Sequence, residues 1–303
     1  MLLNKRIPIS FFFQKIQVEL FIIVIYSIGL GLLDQYNFLG DIKIPLAIAS
    51  ILGTAISLLL AFRTSQAYER WWEARIIWGA IVNDSRTLIR QVQGFYKGDD
   101  KNFIKNFTYR QIAWCYCLGE KLRNLSSKET LEKYFTSEEI LELRKFNNLP
   151  NAFLSLHTQE LKLAHGNQFI NDFQQIQIDS TIARLCESMG KSERIKTTIF
   201  PRTYSSLLHF LIYVFATILP FGLDHSVCFT HHPVLIETCI IIIITTMFML
   251  IEKIAIHMQD PFENKPVDTP ITAIARKIEI DLLQMIKDDK VPQVNETRLY
   301  YEM

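Results

Sequence analysis

Few side chains in this chain could take part in acid–base or metal chemistry, and they stand apart from one another. His231 and His232 are adjacent, but successive side chains beside Pro233 point in different directions, so a surface loop explains them better than a metal pair. His209 and Glu237 lie inside apolar stretches, where ionisable groups are functional candidates by default. Both stand close enough to the end of a stretch for the side chain to reach water, which leaves the functional interpretation open.

The cysteines do not form the pattern of a metal or redox centre. They are spread along the chain without a C-x-x-C pair, and an odd number fits reduced thiols better than a disulfide framework. Cys115 and Cys117 lack a second ligand pair at a suitable spacing, so packing explains them better than a soft metal. The sequence predicts no metal and no cofactor. The full set is Cys115, Cys117, Cys186, Cys228 and Cys239.

Sequence motifs of catalytic sites are missing as well. The chain contains no P-loop, no G-x-G-x-x-G fingerprint after a strand, no H-E-x-x-H and no G-x-S-x-G. A formal net charge of +1 and the lack of a Lys/Arg block argue against nucleic-acid binding. We therefore expect a protein that is not an enzyme and has no nucleic-acid partner.

The composition is typical of a membrane protein with a large aqueous part, because 49% of the residues are hydrophobic. Four apolar stretches are long enough to cross the ~30 Å hydrocarbon layer, which takes roughly 20 residues of helix. Glu19 must sit at the end of the first stretch, whereas the second carries no charge. The sequence predicts an all-α membrane protein with four transmembrane helices per subunit. The stretches cover residues 16–33, 44–62, 203–223 and 234–251.

Basic residues beside the stretches predict the orientation. The loops 34–43 and 224–233 contain Lys43 as their one Lys or Arg, so the positive-inside rule places both termini and the long middle segment in the cytoplasm. The N-terminal segment lacks a small-residue cleavage signature, so we expect it to be retained in the inner membrane. The basic residues on the cytoplasmic side are Lys5, Arg6, Lys15, Arg63, Arg70, Arg75, Arg202 and Lys253.

The middle segment is predicted to be a large helical cytoplasmic domain. Ser137 is a plausible N-cap of one helix, and the pattern of residues 167–189 fits a long helix that ends near Gly190. The expected division is 1–63 with the first two transmembrane helices, 64–202 cytoplasmic, 203–256 with the last two transmembrane helices, and 257–303 cytoplasmic.

The second apolar stretch has a distinctive face. Thr54, Leu58 and Phe62 are spaced four apart, which places them on one side of a helix, and glycine and serine recur nearby. Small residues let membrane helices pack closely, so packing is one explanation, and a pore lining is the other. Composition alone favours packing.

Three longer motifs resemble the bestrophin family, and bacterial members in particular. They are LLLAFRTSQAYERWWEARIIWGAIVNDSR at 58–86, ERIKTTIFPRTYSSLLH at 193–209 and QDPFENKPVDTPI at 259–271. The resemblance covers nearly the whole chain. It implies a homopentamer around a central pore, in which the second membrane helix of each subunit lines a narrow apolar neck.

The resemblance places the pore neck at Thr54, Leu58 and Phe62. Rings of apolar side chains can gate by dewetting, and Thr54 departs from the usual aliphatic residue, so its hydroxyl should wet one end of the neck. Animal members have two aromatic neck residues and pass anions. Only Phe62 is aromatic here, as in bacterial members, so the resemblance favours passive conduction of small monovalent ions with a cation preference.

Further residues are assigned by the same resemblance. The acidic calcium clasp of animal members corresponds to residues 263–268, where Lys265 replaces one ligand and Asp268 keeps the other, so no calcium activation is expected. A second constriction should lie on a helix near residues 169–180. Phe173 and Ile176 are the candidates there, and core packing explains them equally well.

The charged and aromatic residues after the neck read as supports at the membrane boundary: Arg63, Arg70, Trp71 and Trp72. The expected partners are copies of the chain, membrane lipid and small inorganic ions. A chloride or other anion channel of the same architecture is the nearest alternative. A transporter or a membrane-anchored interaction protein is the alternative from another class, but the sequence shows no inverted repeat.

Overall fold

The structure is a computed structural model of the chain, and it describes residues 13–36, 44–222 and 233–293. All regular secondary structure in these ranges is helical, which confirms the all-α prediction. In chain order the helices are α1 (Gln17–Gln35), α2 (Leu46–Phe95), α3 (Lys101–Leu122), α4 (Lys128–Tyr134), α5 (Ser137–Leu143), α6 (Leu149–Gly166), α7 (Asp172–Thr197), α8 (Arg202–Gly222), α9 (Pro233–Gln259) and α10 (Ile271–Met285).

The chain forms two compact units. Among the described residues, the apolar unit is built from those up to Arg70 together with those of Ile199–Gln259, and the large unit from Trp71–Thr198 together with those that follow Gln259. Helix α2 is continuous over 50 residues and contributes its first half to the apolar unit and its second half to the large unit.

Helices α1, α8 and α9 and the first half of α2 make up the apolar unit. Within the described residues, three helices are long and apolar enough to cross a membrane, namely Leu46–Phe95, Arg202–Gly222 and Leu235–Gln259. The apolar part of α1, Gln17–Leu33, is shorter. Three of the four predicted stretches therefore meet the length criterion, and the first one remains a prediction.

One side of α2 packs into the apolar unit. Ile56 and Leu60 are fully buried, and Gly53 lies so close to α8 that an added Cβ would sit 3.2 Å from the ring of Phe215. The glycine lets the two helices approach, as small residues do in membrane helix pairs. The packing face of α2 is therefore the one that carries Gly53, Ile56 and Leu60.

The large unit has a core of its own. Trp78 and Leu88 from the second half of α2 are fully buried together with Phe107 and Trp114 from α3. Burying an aromatic side chain removes 150–250 Å² from water, roughly, so these rings supply much of the driving force for packing.

Two predicted helix boundaries in the large unit are wrong, one by a single residue and one by seven residues. The N-cap of α5 is Thr136 rather than Ser137, because Thr136 forms a reciprocal capping box with Glu139. Helix α7 does not end near Gly190 but continues to Thr197. A Cβ added at Gly190 would meet no atom within 4 Å, so this glycine is an exposed position inside the helix and does not end it.

Candidate functional site

The predicted neck residues lie on an uncovered face of α2. The exposed fraction is 72% for Leu58 and 61% for Phe62, and Thr54 is also exposed. Each lies on the side of the helix away from the buried Ile56 and Leu60. The described part of a single subunit therefore leaves this face bare, and the packing alternative does not hold within the subunit.

The hydroxyl groups on the outer surface of α2 are turned into the helix. Ser50 donates to the carbonyl of Leu46 (3.0 Å), and Thr54 donates to that of Ser50 (2.8 Å). Ser57 donates in the same way to Gly53 (2.8 Å). Because each hydroxyl proton is used by the backbone, the oxygen presents lone pairs outward. The polar end of the face is thus a surface of hydrogen-bond acceptors.

The exposed face continues beyond Phe62. Gln66 and Glu69 follow four and seven residues later, and both are exposed. A carboxylate therefore lies on the same side of the helix two turns after the proposed end of the neck.

A buried ionic cluster stands on the other side of α2 at this level. Arg63 donates from Nη1 to Oε1 of Glu252 on α9 (2.8 Å), and the two side chains are 1% and 0% exposed. The second carboxylate oxygen of Glu252 lies 2.6 Å from Nε2 of His209 on α8. The Arg63 guanidinium also stacks over the ring of Phe200, at 5.4 Å from its centroid. We call Arg63, Glu252 and His209 the ionic cluster.

The neighbouring residue of α9 makes a further ion pair, between Lys253 and Glu19 on α1. Consecutive residues of α9 thus connect to all three other helices of the apolar unit. Charges in a low-dielectric interior are costly unless they are paired, so these pairs hold the helices in one arrangement. The rotation of α2 that exposes Leu58 and Phe62 follows from that arrangement.

The sequence does not single out Glu252, because it follows directly after the fourth apolar stretch and looks like a boundary charge. Glu252 could have been found from the sequence by asking which charges at the ends of the apolar stretches could pair. An arginine and a glutamate at the ends of two spans can neutralise each other. Arg63 is predicted as a boundary support, and the structure buries it instead. His209 belongs to the cluster, Glu237 lies partly buried on α9, and His231 and His232 fall outside the described residues.

The predicted boundary tryptophans contact the protein itself. Trp71 donates from Nε1 to the carbonyl of Val267 (2.9 Å), and Trp72 is 48% exposed with its ring centroid 6.2 Å from that of Trp71. Arg70 is partly buried at the end of the apolar unit. Trp71 therefore anchors segment 263–268, which the resemblance matches to the calcium clasp of animal members.

The clasp segment is held by its own backbone. The carboxylate of Asp268 is buried, and Oδ2 accepts from the backbone N–H of Glu263 (2.6 Å) and of Lys265 (3.1 Å). Burial raises the pKa of Asp268, although these two hydrogen bonds favour the charged form. Among the described residues, no three His, Cys, Asp or Glu side chains are grouped to hold a metal ion.

The two residues predicted to form the second constriction are also exposed. Phe173 and Ile176 lie in the first turns of α7 and are 84% and 67% exposed, so core packing within the subunit is excluded for both. Cys115 and Cys117 are buried, as the packing interpretation predicts, and burial raises the pKa of Cys115 to about 12. A thiol with such a pKa is inert at neutral pH.

The apolar helices, the exposed helical face and the charges buried behind it define a helical membrane protein. The family model described as "Bacterial/Fungal Bestrophin protein" matches residues 7–284. The chain belongs to the bacterial and fungal bestrophin family.

Curated relatives and solved structures agree with this assignment. The protein named voltage-dependent anion channel-forming protein YneE of Escherichia coli K12 is 32% identical over 280 residues, covering 92% of this chain and 89% of the relative. The similarly named alr2987 of Nostoc sp. is 27% identical over 251 residues, covering 80% of each. The crystal structure of a bacterial bestrophin homologue from Klebsiella pneumoniae superposes with a TM-score of 0.82 at 26% identity, covering 90% of this chain and 99% of that one.

Proposed function

We propose that the chain forms a homopentameric channel in the inner membrane that passes small monovalent ions passively, with α2 lining the axial pore. The observation that carries the proposal is the bare face of Thr54, Leu58 and Phe62 on a helix whose opposite side is fully packed. Leu58 and Phe62 are each worth about 1.5–3 kcal/mol when fully removed from water, so a membrane helix that leaves both bare on one face is expected to use that face in an assembly. Membership of the bestrophin family and the channel names of the relatives support it.

The neck consists of three rings in this proposal. Leu58 and Phe62 form apolar rings in which water is poorly held, so the neck can close by dewetting. The Thr54 ring presents acceptor oxygens and shortens the dry part of the barrier. The ionic cluster keeps these side chains pointed to the pore.

A groove beside the neck supports the assembly. Helices α2 and α9 line a cavity of about 500 Å³ that runs past Ser57, Ala61 and Thr64 on one wall and Phe248 and Ile251 on the other. Small residues on one wall allow the backbone of another helix to come close. We assign this groove to the α2 helix of the neighbouring subunit.

A cation preference follows from the oxygens on the α2 face. Lone pairs of Ser50 and Thr54 and the carboxylate of Glu69 all favour a cation along the path. The second candidate is an anion-selective channel of the same architecture. The names of the relatives favour this candidate. The positive charge of Arg90, which lines a cavity together with Phe173, favours it as well.

Both termini lie in the cytoplasm in this proposal, and the large unit is cytoplasmic. Calcium is not needed for opening, because Lys265 stands at a ligand position of the clasp and the Asp268 carboxylate is occupied by backbone N–H groups.

Single-channel recording of the purified protein in a planar bilayer tests the proposal. Phe62→Ala and Leu58→Ala should each raise the unitary conductance several-fold, because a wider and wetter neck lowers the barrier. Leu163→Ala is the matched control, since Leu163 is an equally exposed leucine (66%) on α6 of the large unit. Absence of unitary currents, or neck variants that conduct like the control, would overturn the neck assignment, and a particle mass other than five subunits would overturn the pentamer.

A further inference from the structure

A cavity of about 520 Å³ lies in the large unit between the end of α2 and the start of α7. Arg90, Gln91 and Phe95 line one side, and Asn171, Phe173 and Gln174 line the other. Sites for small molecules commonly have volumes of about 300–1,000 Å³ and combine apolar walls with a few fixed polar groups. The cavity therefore has both the size and the mixed lining of a ligand site.

The amide oxygens on the α7 side are already used. Asn171 caps α7, and its Oδ1 accepts from the backbone N–H of Gln174 (2.9 Å). Gln174 completes the capping box, because its Oε1 accepts from the backbone N–H of Asn171 (2.9 Å). One lone pair of each amide oxygen is therefore occupied, whereas the NH₂ group of each side chain can donate to a ligand.

The amide oxygen of Gln91, on the α2 side, also accepts a hydrogen bond from the protein. Gln91 is only 8% exposed, and its Oε1 accepts from the hydroxyl of Thr181 (2.8 Å). The Thr181 hydroxyl accepts in turn from Nη2 of Arg184 (3.1 Å), whose Nε donates to Asp84 (2.9 Å). This chain of donors makes Thr181 give its proton to Gln91, so the buried Gln91 amide directs its N–H groups away from Thr181.

Charge adds to the donor character of the lining. The guanidinium of Arg90 is exposed at the cavity wall, and the amino-terminal end of the 26-residue helix α7 carries the positive end of its dipole. No carboxylate is among the lining residues that the structure describes. The carboxylate of Asp172, in the first turn of α7, is not a lining group, and its Oδ1 lies 2.6 Å from Nε2 of His165.

The remaining walls are aromatic. Phe95 is partly buried, whereas Phe173 is 84% exposed and offers an open ring face. We propose that this cavity is a binding site for a small aromatic carboxylate, whose carboxylate meets Arg90 and the three amide N–H groups while its ring packs on the phenylalanines. Binding stands independently of ion conduction. An effect of the bound anion on current rests on the proposed function and on the predicted second constriction, for which Phe173 is a candidate.

Titration of the purified full-length protein with sodium benzoate tests the site by calorimetry and saturation-transfer NMR. Benzoate should bind with a dissociation constant of the order of 1 mM, and the neutral isostere benzamide should bind at least about 10-fold more weakly. Arg90→Gln should weaken benzoate binding about 10-fold, since it removes the charge-assisted bonds. Arg144→Gln is the matched control, because Arg144 is an exposed arginine elsewhere in the large unit.

Two further variants separate the parts of the site. Gln91→Glu places a carboxylate among the donors and should abolish binding, and Phe95→Leu should weaken it while preserving the preference for benzoate over benzamide. The site is overturned if benzamide binds as well as benzoate, if Arg90→Gln behaves like Arg144→Gln, or if sulfate displaces benzoate at equal concentration. Benzoate binding without unitary currents would leave the site intact and remove the channel, whereas currents without binding would do the reverse.

Discussion

The exposed face of α2 in the apolar unit and the cavity in the large unit both carry uncharged polar side chains, but these side chains present opposite hydrogen-bonding groups. On the face, the Ser50 and Thr54 hydroxyl protons are given to backbone carbonyls, so lone pairs remain. In the cavity, the oxygens of Asn171 and Gln174 are taken by backbone N–H groups, so protons remain. The same neutral residue types therefore favour a cation in one place and an anion in the other, according to which atom the backbone already uses.

Each unit also contains a buried glutamate, and the two are held differently. Glu252 in the apolar unit is paired with an arginine and a histidine. Glu279 in the large unit accepts from two tyrosine hydroxyls and from Lys133 and Arg276, whose side chains are 52% and 30% exposed. In the apolar unit the partner charge is buried as well. Removing the carboxylate there leaves an uncompensated cation, so the apolar unit should be far more sensitive to this change.

The largest effect is therefore expected for Glu252→Leu. Leaving Arg63 buried and unpaired should cost roughly 3–5 kcal/mol of stability, visible as a loss of folded protein or a strongly lowered thermal unfolding midpoint in detergent. The double variant Arg63→Leu/Glu252→Leu should recover much of that loss, because no isolated charge remains.

Glu19→Gln is the control for Glu252→Leu. It breaks only the pair with Lys253, in which both side chains are 22% exposed, and should cost about 1 kcal/mol or less. If Glu252→Leu is no more harmful than Glu19→Gln, the ionic cluster does not hold α2 in place.

A smaller effect is expected for Glu279→Gln. Burial raises the pKa of Glu279, but hydrogen bonds from Lys133, Tyr116 and Tyr134 outweigh burial and leave the pKa below its usual value. A carboxylate with a lowered pKa contributes stability above its unfolded-state pKa of about 4.5, and the contribution is lost as pH falls through the folded-state pKa. The variant should lose about 1–3 kcal/mol at pH 7.

The pH dependence of the stability difference shows whether the charge of Glu279 causes the loss. The difference in unfolding midpoint between wild type and Glu279→Gln should shrink from pH 7 to pH 3, with most of the change below pH 4.5, measured by circular dichroism. A difference that stays constant over this range would show that shape rather than charge is responsible.

Glu69→Gln tests whether the α2 face favours cations over anions. Removing a carboxylate from each subunit beside the path should reduce the preference for sodium over chloride several-fold, because the local potential becomes less negative. Glu142→Gln removes the same charge from an exposed position on α5 and should leave the permeability ratio unchanged. An equal shift in both variants would assign the effect to overall charge.

The smallest effect is expected for Thr54→Val, which keeps the shape but removes the acceptor oxygen. The dry part of the neck becomes longer, so the unitary conductance should fall about twofold, whereas Thr54→Ser should conduct like the wild type. Equal conductance in Thr54→Val and Thr54→Ser would mean that the hydroxyl does not contribute.

The helices and the grouping of three residues on one face of α2 were within reach of the sequence, although composition alone favoured packing for that face. Long apolar runs and the four-residue spacing of Thr54, Leu58 and Phe62 are local patterns, and local patterns follow from helix geometry. The family was equally accessible, because the motifs around Trp71 and Trp72 are long.

The ionic cluster and the cavity were not accessible in this way. Arg63 and Glu252 are 189 residues apart, and Gln91 and Thr181 are 90 apart, so neither pair exists until the helices have packed. The direction of each hydroxyl and amide also depends on a partner that a linear pattern does not reveal. Even the cap of α5 was displaced by one residue, because Thr136 and Ser137 are both good N-cap types and only Thr136 closes the box with Glu139.

In the proposed channel, the acceptor face of α2 lines a pore that prefers cations. The reversal potential of the purified channel in a planar bilayer with a tenfold NaCl gradient measures this preference. We expect a reversal potential displaced towards the equilibrium potential of sodium. A reversal potential at the equilibrium potential of chloride would show that the pore selects anions.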